Sequence, residues 1–98
     1  MSSPAYRRRP DVFWRRSLDS VVVLPAAADD VLTLAGTGVA VWELLEAWRS
    51  VEALTAILAE AYSADPAVVE PDVEALVSTL LGSGALEMAA DSGGPARG

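Results

Sequence analysis

The chain has 98 residues, a net charge of −7 and an apolar fraction of 52%, a composition that specifies one globular domain with a modest core. It contains no Cys, His, Lys, Asn or Gln. That excludes disulfides, thiolate and Schiff-base chemistry, a histidine general base, a P-loop lysine, and any zinc site richer than bare carboxylates. The inventory fits a binding module without cofactor or metal better than an enzyme, although carboxylates, Ser, Tyr and Arg remain available for chemistry.

The N-terminal segment MSSPAYRRRPD carries charge but no apolar stretch behind it, so no secretory signal is expected. No apolar run reaches the roughly 20 residues of a membrane span, and the expected location is the cytoplasm. Residues 1–10 read as a mobile basic arm ending at Pro10. Charge is sharply divided: residues 1–16 hold five Arg against Asp11, a net of +4, whereas residues 17–98 carry a net of −11. The acidic body repels nucleic acid and anionic membrane, so neither is expected as a partner.

Asp11 to Arg16 reads as a first strand, with Val12 and Trp14 on one face. Ser17-Leu18-Asp19-Ser20 is a turn. Val21-Val22-Val23-Leu24 is a second strand, apolar on both faces and hence central in a small sheet. Pro25 ends it, and 26–30 connects to a third strand, Val31-Leu32-Thr33-Leu34.

Gly36-Thr37-Gly38 follows. A dinucleotide fingerprint needs a third Gly where Val41 stands, and a P-loop needs a Lys. Asp29, Asp30, Glu43 and Glu46 close by also disfavour phosphate. The simpler reading is a tight strand-to-helix corner in which Thr37 caps the helix. Beyond it Val41, Leu44, Leu45 and Trp48 fall on one helical face, with Trp42 covering the sheet from the side. Ser50 caps a second helix, 51–62, whose inner face is Leu54, Ile57, Leu58 and Ala61, with Glu52 near its positive end. Ser63 to Pro66 is a turn. Because an internal Pro costs about 3 kcal/mol, the third helix is expected only from Pro71 to Leu81, closed by Gly82-Ser83-Gly84. Ala85 to Met88 is a last extended piece, and 89–98 reads as a disordered tail.

The order strand, strand, strand, helix, helix, helix predicts an α+β fold: a three-stranded antiparallel sheet followed by a three-helix bundle, winged-helix-like. Glu70, Asp72 and Glu74 crowd the start of the third helix. They could serve as acid and base or as hard-cation ligands, but acids are also what the helix macrodipole favours there. The third strand is a sheet edge with neither Pro nor Lys to block it. Such an edge is a template for an added strand, from a peptide or from a second copy in a weak homodimer.

The run Leu34-Ala35-Gly36-Thr37-Gly38-Val39-Ala40-Val41-Trp42 resembles the Leu-Asn-x-Thr-Gly-x-x-x-Trp corner of the pyrroloquinoline quinone biosynthesis protein D (PqqD) family, the RiPP precursor peptide recognition elements. Ala35 replaces the usual Asn. Asp72-Val73-Glu74-Ala75-Leu76-Val77-Ser78-Thr79-Leu80-Leu81-Gly82-Ser83-Gly84 is similar to the family's third helix, and the resemblance spans 11–88. It implies a non-catalytic adaptor that binds the leader segment of a ribosomally made precursor peptide. The adaptor would then present the precursor to a leader peptidase, a radical SAM enzyme or another modifying enzyme, as in lasso-peptide or quinone-cofactor pathways. It also implies a site: the strand edge Asp30, Val31, Leu32, Thr33 and Leu34, facing a helix wall of Val69, Asp72, Val73, Leu76, Thr79 and Leu80. The competing reading is a winged-helix regulatory or DNA-binding domain that uses the Arg7-Arg8-Arg9 arm.

Overall fold

The computed structural model describes residues 4–25 and 31–89. Five strands and three helices follow in the order β1 (Ala5–Arg8), β2 (Phe13–Ser17), β3 (Ser20–Leu24), β4 (Leu32–Ala35), α1 (Thr37–Leu44), α2 (Val51–Ala61), α3 (Pro66–Gly82) and β5 (Leu86–Ala89). The main sheet has the order β2-β3-β4, all antiparallel. Its centre is β3, whose Val21 and Val23 are fully buried. A two-residue turn joins β2 to β3, with Leu18 in the left-handed region and Ser17 opposite Ser20. The mixed α+β class expected from the order of elements is the one observed.

The basic lead-in differs from expectation. Residues 5–8 form β1, antiparallel to β5, with Ala5 opposite Ala89 and Arg8 opposite Leu86. Tyr6 exchanges backbone hydrogen bonds with Arg49 at 2.8 and 3.0 Å, and the Arg8 amide donates to the Leu45 carbonyl at 2.9 Å. Charge density hid a strand whose partner lies about eighty residues away. Residues 1–3, the connection 26–30 and the tail 90–98 lie outside the described residues, and with them most of the expected disordered tail.

The helices follow their caps. The Ser50 side chain accepts from the Ala53 amide at 3.0 Å and starts α2; the Asp65 carboxylate accepts from the Ala67 amide at 3.0 Å and starts α3, with Pro66 in the first turn. Helix α3 then runs unbroken through Pro71, contrary to the expected start there. Pro71 lacks the amide that would bond the Ala67 carbonyl, but both residues are exposed, so water can satisfy that oxygen. The Asp65 cap and the burial of Val69 hold the first turn in place.

The core joins Val21, Val23, Val41, Trp42, Leu45, Leu54, Val73 and Leu80, all fully buried. The two helix-1 tryptophans exchange the expected roles: Trp42 is fully buried and Trp48 is 42% exposed. The reason is that α1 stops at Leu44, where the Arg49 guanidinium donates to its carbonyl at 2.7 Å, so Trp48 lies past the helix and off its stripe. On α2 the inner face is Leu54, Thr55, Leu58 and Ala59, rotated from the expected one; Ala61 is exposed.

Candidate functional site

Among the described residues β4 pairs only with β3, so its second edge carries no strand. Antiparallel pairing fixes which groups point there. A two-residue hairpin makes Ser17 and Ser20 a hydrogen-bonded pair, so Ser20, Val22 and Leu24 bond β2, while Val21 and Val23 bond β4. Their partners are Leu34 and Leu32. The N–H and C=O of Thr33 and Ala35 therefore face the free edge.

Helix α3 stands opposite this edge. Thr33, Leu34 and Ala35 of β4, Thr37 and Gly38 at the corner, and Asp72, Ala75, Leu76 and Thr79 of α3 enclose a groove of about 410 Å³. The corner shapes its floor. Gly36 has φ 59° and ψ −126°, a region open to Gly and strained for other residues, and it turns the chain from β4 into α1. No side chain caps α1, and Thr37 is its first residue rather than the expected cap. Gly38 is buried; a Cβ there would sit 3.3 Å from Leu34 Cβ and 3.8 Å from Leu76 Cδ2. The glycine lets α1 close against β4 while leaving room for the groove.

The expected site residues separate into four groups. Thr33, Leu34, Asp72, Leu76 and Thr79 line the groove together. Val31 is exposed just ahead of β4, and Leu32 packs half-buried against the core beside the groove. Asp30 lies outside the described residues. Val69, Val73 and Leu80 do not form the wall: they are buried in the core. At 100° per residue, positions 72, 75, 76 and 79 make one stripe, and 69, 73, 77 and 80 make the neighbouring stripe, turned by about one residue. Ala35, Thr37, Gly38 and Ala75 also line the groove, beyond the residues expected for the site. Ala75 had a signal, lying three residues from Asp72 and four from Thr79 on the same stripe; Gly38 had none beyond its lack of a side chain.

The acidic trio of α3 also divides. Asp72 faces the groove, whereas Glu70 and Glu74 line a small cavity on another side, with Glu52 and Tyr6. Among the described residues no group of three His, Cys, Asp or Glu is placed to hold a metal ion. None of the three helices contains a Lys or Arg. Three of the five arginines between residues 7 and 16 are held in ion pairs: Arg7 bonds Glu87 at 2.8 Å, Arg9 bonds Asp11 at 3.1 Å, and Arg16 pairs with Glu43. Among the described residues no helix is long and apolar enough to cross a membrane.

Residues 20–86 match the family model for coenzyme PQQ synthesis protein D (PqqD). The chain belongs to the PqqD family. Two solved structures resemble this PqqD-family chain over most of its length. One is the solution NMR structure of the PqqD truncation of Methylobacterium extorquens PqqCD, described as a functional and stand-alone RiPP recognition element. It is 27% identical, with a TM-score of 0.68 over 85% of this chain and 88% of that one. The other is TbiB1 in complex with the TbiA(β) leader peptide, also 27% identical, with a TM-score of 0.73 over 87% of this chain and 99% of that one. No curated protein matches the chain.

Proposed function

We propose that this PqqD-family chain is a non-catalytic adaptor that binds the leader segment of a ribosomally made precursor peptide. The leader pairs as a strand with the free edge of β4 and sets its side chains against α3. The observation that carries this reading is the groove itself: an unpaired strand edge with outward amides at Thr33 and Ala35, opposite the half-buried Leu76 and the exposed Asp72 and Thr79. Main-chain bonds to the edge would supply affinity, and contacts to α3 would supply selectivity. Leu76 offers the apolar contact, and Asp72 a carboxylate for a leader donor or cation. The likeness to a stand-alone recognition element and to a leader-peptide complex supports the reading.

The bound precursor would then pass to a leader peptidase or another modifying enzyme, in the cytoplasm where the peptide is synthesised. DNA binding is disfavoured on specific grounds. Among the described residues no helix carries a cation to set against phosphate, and three of the arginines of the supposed arm and first strand are held in ion pairs. Fluorescence polarisation with labelled leader peptides encoded beside the gene tests the proposal: saturable binding, competed by unlabelled leader, is expected. Absence of saturable binding by the folded protein would contradict it.

A further inference from the structure

Arg8 lies at the opposite side of the main sheet from the groove. Its backbone is fixed by the bond to Leu45. Its guanidinium carbon lies 4.9 Å from the Trp14 ring centroid and 5.5 Å from that of Trp42. The two rings meet edge to face at 5.9 Å. A cation–π contact of this kind uses the charge of the guanidinium and leaves N–H donors for an acceptor. Arg7 and Arg9 spend theirs on Glu87 and Asp11. Arg8 has no acceptor among the described residues, and the buried Trp42 Nε1 has none either. The stack is therefore rich in donors and poor in acceptors. Beside it opens a cavity of about 320 Å³, lined by Arg7, Arg8, Arg9, Pro10 and Trp14, with Glu46 the one carboxylate on its wall among the described residues. Burial presses the Arg8 guanidinium below its ordinary pKa, and the charge of Glu46 acts in the opposite direction. An Arg remains protonated throughout, so the cation is partly stripped of water without a bonded counter-ion.

We propose that this cavity is a second binding site, in which Arg8, held against Trp14 and Trp42, receives the carboxylate of an Asp or Glu side chain presented by a partner protein. A guanidinium already confined by two rings loses less freedom when it binds a carboxylate. Three arginines converge here on a chain whose net charge is −7. That favours one acidic side chain over a polyanion, which the remaining surface would repel. The site borders β2 and the groove borders β4, with β3 between them. Neighbouring strands are about 4.8 Å apart, so the two sites are separate and can be filled together.

The test is an NMR titration of the full chain, following the Arg Nε–H and Trp indole N–H signals. The probe is a blocked hexapeptide with a single Glu among Ala and Ser, with a Gln-for-Glu peptide as its control. The expected result is saturable shifts of the Arg8 and Trp14 signals, with binding about tenfold weaker for the Gln peptide and for Arg8→Gln. Glu46→Gln should tighten binding about threefold by removing the competing carboxylate, a gain that a merely structural Arg8 would not produce. Leu76→Asp should leave these signals unaffected. The proposal is overturned by absence of saturable shifts, by equal affinity for the Gln peptide, by shifts of equal size at the exposed Arg15, or by stronger competition from inorganic phosphate. If Arg8→Gln fails to fold, Glu46→Gln decides alone: unchanged affinity overturns the proposal.

Discussion

Thr33→Pro separates the two edges of β4. Proline removes the Thr33 amide, which faces the empty edge, and leaves the bonds of Leu32 and Leu34 to β3 in place. Thr33 is exposed, so no core contact is lost. The fold should lose about 1 kcal/mol from the shift of φ toward −65°, which lowers the thermal midpoint by no more than about 8 °C. Binding should suffer more. One inter-strand bond is worth about 1 kcal/mol net, and the leader carbonyl left without its donor costs about 1 kcal/mol or more. The sum, about 2 kcal/mol, is roughly a 30-fold rise in Kd. Fluorescence polarisation with the labelled leader gives the affinity, and circular dichroism melting gives the stability. Leu34→Pro is the control: it removes an amide bonded to β3 together with a buried side chain, and should unfold the domain. A folded Thr33→Pro variant with unchanged leader affinity would refute strand pairing at β4, and a Thr33→Pro variant that unfolds like Leu34→Pro would refute the assigned edge.

Other outcomes follow from the same geometry. Leu76→Asp places a charge on the groove wall one turn from Asp72 and should weaken leader binding at least about tenfold, read by fluorescence polarisation. Gly36→Ala meets no atom within 4 Å yet is strained by its positive φ, so chemical denaturation should show a loss of about 1–2 kcal/mol. Removing residues 1–9 deletes β1 with its bonds to Arg49, Leu45 and β5, and should lower the denaturant midpoint clearly, whereas a loose arm would leave it unchanged. With no His or Cys in the chain, leader affinity should stay flat between roughly pH 6.5 and 8 in the same polarisation assay.

Much of this architecture is legible in local chemistry. The apolar run Val21 to Leu24, the two-residue turn, the Ser50 cap and the Gly36 corner each have a short-range cause, and each is found where the residues place it. The misreadings come from long range. Strand β1 exists because β5 and Arg49 are there to pair with it, and its Ala-Tyr-Arg-Arg sequence gave no apolar alternation to follow. Pro71 stays helical because tertiary burial of Val69 and Val73 outweighs one missing hydrogen bond. In the groove, the strand edge and the stripe through Asp72, Leu76 and Thr79 could be identified in advance. The assignment of Val69, Val73 and Leu80 to the wall failed because a helix face about 100° away is also apolar. Only the packing of α2 against α3 decides which stripe is core.

The central claim is that a leader peptide occupies the groove between β4 and α3. An amide NMR titration of the chain with that peptide tests it most directly. The account predicts saturable shifts concentrated at Thr33, Ala35, Ala75, Leu76 and Thr79. Absence of saturable shifts, or shifts centred on the β2 edge of the sheet instead, would contradict it.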